Sequence, residues 1–207
     1  MWLAARADLA GTPVAHYLAA RGIDLAELTR QPGALRCHFD LFNRESGRSW
    51  PAMVAAIVGP DGRHAATHCL WLAEDAGGIS RKAPLRDQKM TLGSYAGGYI
   101  PLTRGASGKP LAHAPDGETV AIGEGIETCL SVAIASPELR VLAVLSLANM
   151  ARLVLPEAVR SRDSQVRRRR HRRTARRPIS RPASRCGPRG CSGRTRTRRQ
   201  HGSVAPS

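Results

Sequence analysis

The sequence predicts an α/β chain: an α+β N-terminal part, then a partial parallel sheet, with an arginine-rich tail lying outside the fold. Three observations carry this reading. Two apolar, strand-like runs, "WPAMVAAIV" and "RHAATHCLWL", flank "GPDG", whose residue types favour a β-turn. Beyond residue 115 the chain alternates short apolar strand, helix, apolar strand, helix, which is the pattern of βα units in a parallel sheet. From Arg160 to Ser207 there are seventeen arginines, no lysine and one acid, Asp163, so this stretch accounts for the whole net charge of +16, and residues 1–159 are balanced.

Each element has a local signal. Thr12 suits a helix N-cap, Pro13 the first helical position, Val14, Tyr17 and Leu18 an apolar face, and Gly22 a stop. "GIDLAELTR" predicts a second short helix. The GPDG turn predicts an antiparallel hairpin. "AEDAGGISRKAPLRDQKMTLGSYAGG" is glycine-rich and basic with little periodicity, and it closes on the short strand candidate "GYIPL". "KPLAHAPDG" reads as a linker, dividing an N-terminal region, 1–114, from an α/β region, 115–159. In the second region "ETVAIG" is a buried strand, 126–136 a helix, "LRVLAVLS" a second strand, and "LANMARLVLP" a helix that ends before Pro156.

Bulk properties exclude several classes. The apolar runs fall short of a membrane span of roughly 18 residues, and "MWLAARADLAG" lacks the basic start and apolar core of a secretion signal. A soluble, cytoplasmic protein with no membrane partner is expected. Five scattered cysteines do not suggest a disulfide framework, and Cys186 and Cys191 lack the further ligands that structural zinc needs.

The chemistry concentrates in "TVAIGEGIETCLSVAIA", residues 119–135. Gly123 and Gly125 permit a sharp turn and a close approach to the backbone, while Glu124 projects from the carboxyl end of a strand, where parallel sheets present functional groups. The alternative is that Glu124 and Glu127 only complement the dipole of the following helix, worth about 0.3–1 kcal/mol each. The chain has no G-x-G-x-x-G fingerprint, P-loop or nucleophile elbow, and Ser131 and Ser146 have no local catalytic partner. A metal-dependent hydrolase built on Glu124, His64 and His68 is a further reading. Those histidines lie four apart on one strand, sharing a face but standing too far apart for easy joint ligation.

"TVAIGEGIETCLSV" followed by "RVLAVLSLANMARLVLPEAV" resembles the opening half of the Toprim domain of primase-like proteins from phages, plasmids and integrated mobile elements. "GTPVAHYLAARGI", "LRCHFDL", "RKAP" and "KMTLGSYAGGYIPL" resemble the region that precedes Toprim there, so the resemblance spans about residues 1–159. It implies Mg²⁺-dependent nucleotidyl transfer in DNA replication, with Glu124 as the catalytic and metal-binding carboxylate and Glu127 in support. It also implies Arg81, Lys82 and Lys89 facing nucleotide or template phosphates, with DNA, nucleotides and a replicative helicase as partners. Metal ions neutralise and align the charge that builds up in such a transfer. The sequence departs from the family after "LPEAV": the expected Asp-x-Asp strand does not follow, and no acid comes after Asp163. A protein truncated at both ends, with little or no polymerising activity, is the expectation.

The tail holds no Leu, Met, Phe, Tyr or Trp, so it cannot bury enough apolar surface to offset its chain entropy and is predicted to be disordered. One reading makes it an arm that grips nucleic-acid phosphates without sequence preference. The other takes its Arg, Pro, Ser and Gly skew as that of a GC-rich gene read out of frame.

Overall fold

A computed structural model describes residues 1–155 and Val159. The tail, with its expected disorder and phosphate grip, lies outside the described residues, as do Cys186 and Cys191. Cys37, Cys69 and Cys129 are free and buried.

The chain is mixed α/β, with more strand than helix and mostly antiparallel pairing. Helix α1 (Pro13–Ala19) starts where its signals place it: the Thr12 hydroxyl accepts from the Ala15 N–H at 3.3 Å, and Val14, Tyr17 and Leu18 are buried. The helix expected in "GIDLAELTR" is a single 3-10 turn, Leu25–Glu27, begun by Asp24. The turn buries none of its residues and the chain is already extended at Leu28, so no packed face offsets the cost of nucleating a longer helix, as one does for α1.

Strands β1 (Leu35–Asn43), β2 (Arg48–Val58) and β3 (His64–Glu74) form an antiparallel meander, with the GPDG turn joining β2 to β3 as expected. Strand β3 is long enough to take two more partners. Strand β4 (Ser80–Lys82) pairs with its end at Leu72–Glu74, and β5 (Lys89–Gly93) with its middle at Ala66–Leu70. Both arise in the stretch without periodicity. They are short, β5 is mostly solvent-facing and β4 buries only the polar Ser80, so backbone pairing to β3 defines them rather than an apolar alternation.

A second sheet has the order β6 (Ile100–Pro101), β8 (Arg140–Ala143), β7 (Val120–Gly123). Strands β7 and β8 are parallel, with helix α2 (Ile126–Ala135) between them in the chain. Strand β8 is buried throughout, but β7 is not the buried strand expected: it lies at the edge of the described sheet, where none of its residues is fully covered and Ile122 is exposed. Strand β6, from before the linker, pairs antiparallel with β8, so the sheet is not purely parallel and β8 has partners on both edges. Helix α3 is confined to Leu147–Met150 and does not extend towards Pro156. The Ser146 hydroxyl caps it, and past Arg152 the chain turns so that the Val154 N–H donates to the Gly97 carbonyl.

The sheets are stitched together at Val58 and Tyr99, which exchange two backbone hydrogen bonds of 2.8 and 2.9 Å. This contact requires Gly98, where an added Cβ would lie 2.7 Å from the Val58 carbonyl oxygen. The largest cluster of buried side chains runs across both sheets, from Leu18, Leu35, Met53 and Leu70 to Ile100, Ile126, Leu130 and Val141, and two smaller clusters flank it. Asn149 fixes the junction: its Oδ1 accepts from the Gly97 N–H at 2.7 Å, and its Nδ2 donates to the Gly98 and Val144 carbonyls at 2.9 Å each.

Candidate functional site

Strand β7 ends at Gly123, and the chain turns through Glu124 and Gly125 into α2. An added Cβ at Gly123 would collide with the Cys129 sulfur, so glycine is what lets this strand end lie against the helix. Glu124 is exposed at the strand tip, and its carbonyl accepts from the Leu145 N–H at 3.0 Å. Glu127 lies in the first turn of α2, half-buried.

Both glutamates line a cavity of about 320 Å³, whose other walls include His68 from β3, Lys89 from β5, Thr128 and Leu145. Two sheets therefore converge on one cleft, and four residues singled out in the sequence, Glu124, Glu127, His68 and Lys89, share it. Lys82 is not part of its lining, although its charge acts on Glu127. Arg81 stands apart from the cavity, and its Nε is ion-paired with Asp75 Oδ2 at 2.6 Å. His64 lies at the start of β3 and opens onto a different cavity, so Glu124, His64 and His68 do not gather into one site.

The electrostatics distinguish the two glutamates. Burial works to raise the Glu127 carboxyl. Its own backbone N–H, the Tyr17 hydroxyl donating at 2.8 Å, and the charges of Lys89 and Lys82 outweigh that and hold it below the usual carboxylate range. Glu127 is thus a fixed anion tied to α1. Burial, followed by the positive charge of Lys89, pushes His68 down to about 4, so its ring is neutral near pH 7. Its Nδ1 lies 2.9 Å from the Thr91 hydroxyl. Burial first, and then the charge of Lys89, lowers Lys82 as well.

Leu145 closes the cavity at φ 66°, the left-handed region, at a cost of roughly 1–2 kcal/mol for an L-residue. Its N–H bond to the Glu124 carbonyl and the Ser146 N–H bond to Val144 hold it there. Strained backbone held in place beside a cleft is a recurrent feature of functional sites.

Tyr17 and Leu145 had no sequence signal of their own. Tyr17 read as part of an apolar helix face, and its hydroxyl meets a carboxylate 110 residues further along the chain. In the sequence His68 shows only a strand face shared with His64, and it is β5 that brings Thr91 and Lys89 alongside it.

Residues 1–102, just under half of the chain, match a family model described as a domain of unknown function (DUF7146). The match contains Tyr17, His68 and Lys89 and ends before Glu124, so it does not reach the stretch on which the Toprim resemblance is strongest. No curated protein and no solved structure matches the chain.

Proposed function

We propose that the cleft binds the phosphates of a nucleotide in a Toprim-type, primase-like protein. Glu124 serves as the strand-tip carboxylate, and Lys89 with Lys82 supplies positive charge for the phosphates. The observation that supports this is the convergence of Glu124, from the end of a parallel strand, with Lys89, from the other sheet, in one cavity. DNA is the substrate class that the resemblance implies, and a replicative helicase is its expected partner.

The described residues do not fit a resident magnesium ion. Among them no group of three or more His, Cys, Asp and Glu side chains is placed to hold a metal. Of the two carboxylates in the cleft, Glu127 is already balanced by Tyr17 and the lysine charges. Magnesium in this proposal belongs to the nucleotide and enters as its complex, in keeping with an ion that retains water and binds through few carboxylates plus substrate phosphates. The residues here bind and orient. A second carboxylate pair for polymerisation is not among them.

Calorimetric titration of the full chain with magnesium–ATP, at about 0.3 M salt to screen the tail, tests the reading. Glu124→Gln and Lys89→Ala are each expected to weaken binding by about tenfold, the loss of one charge-assisted contact. Unchanged affinity in both variants, or no binding by the parent chain, sinks the proposal.

The placement of the whole net charge in residues 160–207 favours a second reading, a non-catalytic nucleic-acid-binding protein that grips phosphates with its tail. It requires single-stranded DNA binding that falls steeply with salt, disappears on deletion of residues 160–207, and is indifferent to Glu124→Gln.

A further inference from the structure

A larger cavity, of about 640 Å³, lies on a separate part of the molecule and shares no lining residue with the cleft at Glu124. Its volume falls within the roughly 300–1,000 Å³ of small-molecule sites. Trp2, Ala34, Val58, Leu102 and Ala133 give it an apolar body. Its charged lining is of one sign: Arg30 and Arg104 contribute, and no Asp or Glu is present among the described residues that line it.

The walls are fixed before any ligand arrives. The Trp2 indole N–H donates to the Ala34 carbonyl at 3.2 Å, and the Arg36 guanidinium sits 3.8 Å from the ring centroid. Gln31 accepts from the Leu9 N–H with its Oε1 and donates to the Ala7 carbonyl with its Nε2. Thr103 donates to the Leu139 carbonyl at 2.8 Å and accepts from the Val141 N–H at 2.9 Å. Behind the Gly105–Gly108 loop, the Ser107 N–H and hydroxyl both donate to Glu118, which is itself ion-paired with Arg140.

The remaining polar groups meet no carboxylate among the described residues. Neither Arg30 nor Arg104 is ion-paired among the described residues. Arg104 makes one long contact, 3.5 Å, to the Gly108 carbonyl. His64 engages Thr67 through Nε2 at 3.0 Å, which leaves its Nδ1 available. Two guanidinium groups with no ion-pair partner among the described residues, beside a rigid apolar chamber, define a ligand by complementarity, because a guanidinium binds carboxylate or phosphate through paired N–H donors.

We propose that this chamber is a binding site for a small organic anion, with its apolar, planar body between Trp2 and Ala133 and its carboxylate or phosphate head at Arg30 and Arg104. The site is independent of the nucleotide reading of the other cleft.

The test uses the full chain at about 0.3 M salt, where general attraction to the basic tail is screened. Naphthyl phosphate, naphthoate and uncharged naphthylmethanol are titrated in parallel by calorimetry. At least one of the two anions is expected to bind, the tighter of them identifying the head group, and the alcohol to bind about tenfold more weakly. Arg30→Ala with Arg104→Ala, both at exposed positions, is expected to weaken the anion by about tenfold or more. Arg63→Ala, in the exposed β2–β3 turn, is expected to leave it unchanged. Ala133→Phe, which fills the chamber, is expected to abolish binding, and where that variant does not fold the arginine pair decides alone. No binding of either anion, an alcohol that binds equally well, or an arginine pair no weaker than Arg63→Ala overturns the proposal.

Discussion

His68 and Glu127 are ionisable side chains placed where folding fixes their charge. His68 is buried and neutral, and its folded value of about 4 lies below the ordinary 6.5, so the unfolded chain binds the extra proton first. Stability is therefore complete above about pH 6.5 and falls as pH drops towards 4, by roughly 3 kcal/mol for a shift of this size. Urea unfolding of His68→Gln across that range is expected to show a flatter profile than the parent, and identical slopes would remove His68 as the cause. Tyr17→Phe deletes the 2.8 Å hydrogen bond to Glu127 and is expected to cost about 1–2 kcal/mol. The Glu127 carboxyl, followed by NMR titration, should move up towards its ordinary range, and one that does not move rules out the contact. Glu124 and Glu127 were legible as a pair because a strand end and a helix start meet within four residues. Which of the two is tied down depends on a helix more than a hundred residues earlier, and no local pattern records that.

At the scale of elements, the linker before β7 is held by a buried ion pair. Arg140, 2% exposed at the start of β8, donates through Nη2 to Glu118 Oε2 at 2.7 Å, and again to the Lys109 carbonyl. Burial works to raise Glu118, but the Arg140 and Ser107 contacts overcome it and hold its carboxyl below the usual range. A carboxylate depressed on folding adds stability that is present above its unfolded value and is lost as pH falls through the folded one. Glu118→Gln is expected to cost about 3–5 kcal/mol at neutral pH, because Arg140 is left charged and unpaired, and to lose less as the pH is lowered through that range. A loss below 1 kcal/mol, measured in urea, would mean that solvent reaches Arg140. Elements with strong local signals, α1, the β2–β3 hairpin, β7 and α2, were readable in the chain. The 3-10 turn at Leu25, the short α3, and strands β4 and β5 were not, because pairing or its absence elsewhere sets their length.

In the whole molecule, the two sheets are joined through a glycine. Gly98→Ala would press a methyl group against the Val58 carbonyl and Ile57, and is expected to destabilise the fold by about 1–3 kcal/mol. Since one buried cluster spans both sheets, the loss should appear as a shift of a single cooperative transition, read by tryptophan fluorescence and far-UV circular dichroism together. Two separated transitions would show that the sheets unfold independently. Residue type and spacing along the chain suffice for the strand and helix signals, the neutral balance of residues 1–159, the turn that presents Glu124, and the confinement of the net charge to the tail. Folding is what sets β6 against the edge of β8, gathers Lys89, His68 and Tyr17 around the two glutamates, and leaves two arginines without an acidic partner among the described residues beside an apolar chamber. Those relations join residues distant along the chain, and a periodicity that reports burial on one face does not encode which distant face will meet it.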